Sequence, residues 1–327
     1  MYNIFDNKSV LITGGTGSFG KNFVKYLLDN SNAKKIIVFS RDELKQSKMQ
    51  KEIKDDRLRF FIGDVRDLNR LQRAFNKVDI VVHAAALKQV DTIEYNPFEA
   101  VKTNIIGTQN IIDASIDQGV QKAILISTDK AVEPVNLYGS TKMCAEKLFI
   151  SGNSYTSGQT KFSCVRYGNV IGSRGSIVET LIKKVAGDTV QITDERMTRF
   201  WISLEQSFAL VIFALKYMRG GEIFIPKIPS MKLIDLVDTI TPDCDHQIIG
   251  IRPGEKLHES LLTKEEALHS VEFDNYIVVI PEFSFSGANY DDYYKSGKKL
   301  GDSFNFSSDN SSNYLTKEEL KKIISNL

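Results

Sequence analysis

Tyr138 and Lys142 stand four residues apart, so on a helix the phenol and the ammonium share one face. A phenol that titrates near about 10 in water is a poor base at neutral pH, and an adjacent positive charge makes it a better one. Such pairs also occur on solvated helix faces, and it is the preceding stretch that gives this one chemical weight. Ala123 to Ile126 is an apolar run of the kind that forms a buried parallel strand. It runs into Ser127-Thr128-Asp129-Lys130, and ligands bind at the carboxyl ends of such strands. A carboxyl group, two amines, a hydroxyl and a phenol are therefore expected together at one strand end.

The elements that must position them begin near the start of the chain. Val10 to Thr13 reads as a strand, Gly14-Gly15-Thr16-Gly17-Ser18-Phe19-Gly20 as a glycine turn, and Lys21 to Leu28 as a helix. Glycines at 14, 17 and 20 let backbone amides and a helix N-terminus approach a pyrophosphate without interference from a Cβ, which points to a dinucleotide. Lys35 to Ser40 is a second strand. A free ribose 2′-hydroxyl meets an acidic residue at the end of this strand. Here Ser40 and Arg41, with Lys45 nearby, suit a 2′-phosphate and favour NADP, while Asp42 keeps NAD open. Leu58 to Ile62 ends in Gly63-Asp64-Val65, where Asp64 could accept from an adenine amino group. Ile80 to His83 ends in Ala84-Ala85-Ala86, small enough for close contact with a cofactor. His83 has no partner cluster in sequence and reads as a core histidine. Asn96-Pro97 opens a long helix expected to run to about Ser115.

Strand and helix alternate up to Arg166-Tyr167-Gly168-Asn169, which implies right-handed crossovers and an α/β, Rossmann-type doubly wound parallel sheet. The pattern breaks beyond Asn169. Residues 1–168 with about 199–226 are expected to form the dinucleotide domain, and about 169–198 with 227–327 a smaller C-terminal substrate-binding domain. Ile177 to Val185 and Leu204 to Tyr217 read as helices and Glu222 to Ile225 as a strand. Arg174, Arg199 and Arg252 are assigned to a diphosphate, because guanidinium forks match phosphate oxygens. Ion pairs between domains are their alternative. Residues 283–313, rich in Ser, Asn, Asp and Tyr, read as loop that either packs on a neighbour or is mobile, and Thr316 to Glu319 as a capping box.

Composition narrows the partners. The 327 residues suffice for about two domains. Lysine and arginine exceed aspartate and glutamate by 42 − 41 = 1, so no strong field points to nucleic acid or an anionic membrane. Cys144, Cys164 and Cys244 have no C-x-x-C spacing and fit a reducing compartment. No metal-ligand spacing links His83, His246, His258 and His269. Met1 to Asn7 lacks a leader pattern and Phe208 to Leu215 is too short to span a bilayer, so a cytoplasmic protein is expected.

The glycine turn, Tyr138 with Lys142, and Arg166-Tyr167-Gly168-Asn169-Val170 make the chain resemble an extended short-chain dehydrogenase/reductase acting on nucleotide sugars. Ser40-Arg41-Asp42-Glu43, Gly63-Asp64-Val65-Arg66-Asp67, His83-Ala84-Ala85-Ala86-Leu87-Lys88, Ser127-Thr128-Asp129-Lys130, Met197-Thr198-Arg199-Phe200 and Arg252-Pro253-Gly254-Glu255-Lys256 narrow the resemblance. They are similar to the UDP-N-acetylglucosamine 4,6-dehydratases, most of all to the inverting, C5-epimerising branch that starts pseudaminic acid synthesis for flagellin glycosylation. Familiar glucose 4,6-dehydratases carry Asp-Glu where this chain has Asp129-Lys130.

The resemblance implies that Tyr138 deprotonates the C4 hydroxyl, Lys130 is the base at C5 and Asp129 the acid at C6, with Thr128 and Lys142 completing the catalytic set. It implies NADP held by Gly14, Thr16, Gly17, Ser18, Phe19, Gly20, Ser40, Arg41, Asp42, Lys45, Asp64, Val65, Ala84, Ala85, Lys88, Tyr138, Lys142 and Val170. Lys88, Asn169, Arg174, Arg199, Arg252 and Glu255 would hold UDP-N-acetylglucosamine. It further implies a closed homo-oligomer such as a hexamer. As a base Lys130 must be neutral, and Lys142 with the positive nicotinamide is expected to lower its pKa. A nucleotide-sugar 4-epimerase would share Tyr138 and Lys142 but has no need of Asp129 and Lys130. A non-catalytic NADP-sensing regulator has no reason to keep all four.

Overall fold

The structure is a computed structural model that describes residues 3–325; Met1, read above for a leader, and the outermost ends of the two domain ranges lie outside them. Strands β1 (Ser9–Thr13), β2 (Lys35–Ser40), β3 (Leu58–Ile62), β4 (Ile80–His83), β5 (Lys122–Ile126) and β6 (Lys161–Val165) are all parallel, in the order β3-β2-β1-β4-β5-β6. Their side chains are largely buried on both faces because helices cover both, which is why they read as continuous apolar runs. The strand order reverses between β1 and β4, and the carboxyl ends there form the crevice that doubly wound sheets use for ligands.

Past β6 the chain leaves the sheet through β7 (Asn169–Val170), β8 (Thr189–Ile192) and β9 (Thr198–Ile202). A helix at Leu204–Tyr217, opened by a Ser203/Gln206 capping box, returns it. β10 (Ile223–Pro226) then adds parallel to β6. Next come β11 (Ser230–Lys232), β12 (Asp245–Ile248) and β13 (Ser260–Leu262), followed by β14 (Ser270–Glu272), β15 (Tyr276–Val279) and β16 (Lys298–Lys299), which extend the large sheet antiparallel beyond β10. β17 (Phe306–Ser307) pairs with β13.

Two cores result. The larger packs around the parallel sheet; the smaller gathers Ile171, Leu181, Ile192, Trp201, Leu236 and Leu320. Leu261, Leu262, Val271, Val278 and Tyr293 belong to the larger core. The packing therefore does not follow the expected assignment of 227–327 as a whole to the smaller domain, because β15 pairs with the edge that β10 exposes and β14 pairs in turn with β15. The expected loop 283–313 contains a helix, Asp291–Ser296, and packs on its own chain, with the Tyr293 hydroxyl donating to the Tyr217 carbonyl (2.8 Å) and standing 3.0 Å from Glu222 Oε1. The expected continuous helix after Pro97 is interrupted at Val101–Ile106 by a turn of wider, i to i+5 pitch. Asn104 lies buried in that turn, where its amide bonds both backbone groups of Leu87 and the Thr141 hydroxyl.

Arg166, one residue past β6, joins the halves. Its guanidinium donates to Glu146 (3.1 and 2.7 Å), on the helix that follows β5, and to Glu266 (2.8 and 2.9 Å) and the Leu261 carbonyl (3.0 Å). Replacing it strands the buried Glu146 carboxylate and the half-buried Glu266 carboxylate, so Arg166→Met should lower the unfolding free energy by about 3–5 kcal/mol in urea denaturation. Adding Glu146→Leu should recover part of that loss, read as non-additivity in the double-mutant cycle.

Candidate active site

The backbone of β5 continues its pairing one residue past the strand, Ser127 N–H donating to the Val165 carbonyl at 2.7 Å. Thr128 then caps a single tight turn, Asp129–Ala131, and Asp129 N–H donates to the Tyr167 carbonyl (3.0 Å). Asp129 is thereby drawn fully into the protein. Its Oδ1 accepts from the Thr128 hydroxyl (2.9 Å) and the Lys130 ammonium (3.1 Å), while Oδ2 has no hydrogen-bond partner among the described residues. Lys130 also donates to Asn169 Oδ1 (3.3 Å) and stands 3.3 Å from Glu259 Oε1. One ammonium thus lies between two buried carboxylates.

Charge follows from that geometry. Burial and the Glu259 charge raise the Asp129 carboxyl against the pull of Lys130, whereas Lys130, Arg199 and Lys256 overcome burial and hold Glu259 below the usual range. Burial alone would lower Lys130, yet Asp129 and Glu259 outweigh it and raise the ammonium well above an ordinary lysine. The expected lowering of Lys130 by Lys142 is thus reversed in this structure. Glu259, 129 residues along the chain from Lys130, carries no motif that marked it.

Tyr138 enters from a helix, Leu137–Ser151, whose N-cap Asn136 accepts from Gly139 N–H and donates to the Gly254 carbonyl (2.8 Å). Burial pushes the phenol up to about 12, partly offset by Lys130 and by a hydrogen bond with Thr128. Lys142, on the next turn, donates to the Ile126 carbonyl (2.8 Å), and burial brings it down to about 8. The cation that acts on Tyr138 is therefore Lys130, and Lys142 anchors the helix to the end of β5. Lys88, at an exposed position, is lowered by partial loss of water and then by repulsion from Lys130.

The glycine turn meets the end of β4 at van der Waals limits. Gly14 has φ +64°, and a Cβ there would lie 2.9 Å from Ala85 N; one on Gly20 would lie 2.6 Å from Gly14 O. Thr13 Oγ1 accepts from the Ala84 and Ala85 amides (3.2 Å each) and bonds His83 Nδ1 (2.7 Å). His83, buried and lowered to about 3, is a core histidine, as expected. The helix Ser18–Asn30 starts after Gly17 with no side-chain cap, so its first amides suit an anion; Phe19 contributes its amide only, its ring being stacked on Phe23 and against Phe208. Val65 packs on Gly107, where a Cβ would lie 2.7 Å away, and Val170 pairs with Ile202 in β9. These features fit a dinucleotide. At the ribose end Arg41 lies 3.6 Å from Asp64, which Arg66 also binds, Lys45 pairs with Asp42 (2.8 Å), and Ser40 Oγ accepts from Gln46.

The three arginines assigned to a diphosphate separate. Arg199 is buried, with Nη1 donating to the Thr198 (2.7 Å) and Leu257 (3.1 Å) carbonyls and Nη2 to the Lys256 carbonyl (3.0 Å) and the Met197 sulfur (3.1 Å). Those protons are already engaged, so Arg199 binds the 256–257 backbone to β9 instead of reaching a phosphate. Arg252 is exposed on the loop that Asn136 holds through Gly254, with Glu255 closing the loop by a bond from its amide to the Arg252 carbonyl (3.1 Å). Arg174 is exposed, and its amide donates to Ser18 Oγ (3.0 Å) beside the glycine turn.

A glycine-turn doubly wound sheet with a phenol and lysine one helical turn apart beside the end of β5 defines an extended short-chain dehydrogenase/reductase. The family described as "Polysaccharide biosynthesis protein" matches residues 10–281, and the chain belongs to it. It is 49% identical, over 98% of both chains, to a protein of Campylobacter jejuni named UDP-N-acetylglucosamine 4,6-dehydratase (inverting). It is 39% identical to a Rickettsia bellii protein named UDP-glucose 4-epimerase, covering 99% of this chain and 97% of that one. Among solved structures, Pen from Bacillus thuringiensis superposes with a TM-score of 0.89 at 38% identity, covering 98% of each chain. Among the described residues no helix is long and apolar enough to cross a membrane.

Lys142 offers a check on this electrostatic picture. Its folded pKa, about 8, lies below the ordinary 10.5, so the folded state binds fewer protons between those values and is stabilised as pH rises through them. Below about 8 the cost of burying the charge is fully present. The stability of the wild type relative to Lys142→Met should therefore increase by up to about 3 kcal/mol from pH 8 to 10.5, measured by denaturation at each pH.

Proposed function

We propose that the protein is an NADP-dependent, inverting 4,6-dehydratase of UDP-N-acetylglucosamine. The observation that carries this reading is the contact of Asp129 with Lys130, Nζ to Oδ1 3.1 Å, in one cluster with Tyr138. A carboxyl group and an amine side by side suit removal of a proton from one carbon and of hydroxide from its neighbour. The name of the Campylobacter relative supports it. A 4-epimerase, the name of the Rickettsia relatives, would have no task for this pair.

Bound along the glycine turn, a nicotinamide cofactor would take hydrogen from C4 and return it at C6, and its positive ring would favour ionised Tyr138. Tyr138 receives the proton of the C4 hydroxyl. The resulting ketone acidifies the C5 proton. Lys130 starts as an ammonium, and transfer of its proton to Asp129 creates the base and the acid in a single step. Lys130 then takes the C5 proton while Asp129 protonates the oxygen leaving C6, so water departs, the pair returns to its starting charges, and a proton that has exchanged with solvent is placed on C5 as the hydride returns at C6. Asn169, Lys88 and the Arg252 loop line the sugar and diphosphate side, and Arg174 stands beside the glycine turn. Inversion at C5, the start of pseudaminic acid synthesis for flagellin glycosylation and a closed homo-oligomer such as a hexamer rest on the family resemblance, and a cytoplasmic location rests on the cysteine usage of the sequence.

Incubated with UDP-N-acetylglucosamine, the wild type should yield a 4-keto-6-deoxy sugar, carrying deuterium at C5 when the reaction runs in heavy water. Lys130→Ala should bind nucleotide sugar but lose roughly 100-fold to 10,000-fold in product formation. A near wild-type rate would exclude Lys130 as the base, and a 4-epimer in place of the keto sugar would establish the rival reading.

Arg41 and Lys45 favour NADP over NAD. Arg41→Ala should weaken NADP binding far more than NAD binding in titration calorimetry, and equal losses would remove the preference.

A further inference from the structure

Glu259 is the one member of the buried charge cluster to which the reaction above gives no task. Its backbone is clamped at both groups: the amide donates to Ser308 Oγ (2.9 Å) and the carbonyl accepts from Ser308 N–H (2.8 Å), where β13 begins beside β17. Ser308 Oγ is in turn bonded to the Thr198 hydroxyl (2.6 Å), so the start of β13 is fixed to β9. The Glu259 side chain is 4% exposed. Oε1 stands 3.3 Å from Lys130 Nζ, while Oε2 has no hydrogen-bond partner among the described residues, although the Lys256 ammonium lies 3.6 Å away. A buried carboxylate with an unsatisfied oxygen is costly, so its position beside Lys130 calls for a reason.

We propose that Glu259 is a positioning residue for the Asp129–Lys130 pair: a fixed, buried anion that holds the Lys130 amine at the reacting end of the pair and keeps the proton they share from escaping to solvent. This rests on the dehydratase reading. In that reaction the pair works with one proton, on Lys130 at rest and on Asp129 when Lys130 acts as base. Loss of that proton leaves no acid, and gain of a second leaves no base. A negative charge beside the pair favours both proton-bound forms, because it attracts an ammonium and repels a carboxylate. It thereby raises both pH limits of the working state, which belong to the pair and not to either residue. The other groups facing the cluster are Tyr138, Lys88, Arg199 and Lys256. The three cations oppose Glu259 electrostatically, and none of them makes a hydrogen bond to Lys130.

The test is the pH profile of product formation for the full chain with UDP-N-acetylglucosamine, in the wild type, Glu259→Asp and Glu259→Gln. Both limbs should move to lower pH by about one unit or more in Glu259→Gln, and by an intermediate amount in Glu259→Asp, whose charge is one methylene farther from Lys130. A Glu259→Gln enzyme with reduced rate but unmoved limbs would overturn the proposal, since a purely structural role changes the rate and not the profile. Titration of the Lys130 amine by nitrogen NMR, assigned with Lys130→Arg, reads the same coupling without turnover. The midpoint should fall from wild type to Asp to Gln, and an unchanged midpoint in Glu259→Asp overturns the proposal even if Glu259→Gln does not fold. A wild type that makes no keto sugar sinks the dehydratase reading, whereas the NMR series still decides whether Glu259 governs the protonation of Lys130.

Discussion

The buried guanidinium of Arg166 is the constraint on which the site depends. It bonds Glu146, on the helix that carries Tyr138 and Lys142, and Glu266, four residues beyond the end of β13. Glu266 also closes the capping box of the helix Lys264–Ala267, so its carboxylate cannot swing without loosening that helix. Taking the Arg166 and Glu146 charges fully and the Glu266 charge largely out of water is expensive and is compensated only while all the bonds are made. The consequence is that the phenol, contributed by one part of the chain, and Glu259, contributed by another, are held in a fixed relation.

That relation decides protonation. Lys130 keeps its proton because two carboxylates are placed against it, and Asp129 is pushed towards its acid form because it is fully buried and faces Glu259. Two carboxyl groups in one cluster with pKa values driven apart are the arrangement in which one acts as acid while the other stays ionised. Arg199 contributes as a fixed positive charge whose own hydrogen bonds are to three backbone carbonyls and the Met197 sulfur, so it shapes the field without moving.

The opposite end of the crevice is governed by sterics. Gly14, Gly20 and the Ala84-Ala85 amides are packed so closely that added methyl groups would meet backbone atoms, and Thr13 ties the ends of β1 and β4 together. Backbone amides at the start of the helix Ser18–Asn30 are left without a side-chain cap, and the rigid junction fixes where a dinucleotide would lie relative to Tyr138.

The sequence by itself determined the parallel strands, because strands buried on both faces must be apolar throughout, and the glycine turn, because its spacing has few other uses. It also determined that Thr128, Asp129 and Lys130 fall at a strand end near Tyr138, since all lie within a short stretch of chain. Tertiary structure alone decided what those residues do. Glu259 reaches Lys130 across 129 positions and reverses the shift that neighbouring sequence implied for the amine. Arg199 was legible as basic but not as buried, because three of its partners are backbone carbonyls, which every residue possesses and no motif displays. The allocation of β14 and β15 to the large sheet was hidden for a similar reason: an edge strand accepts whichever segment brings matching backbone, and only the folded chain shows which one arrives.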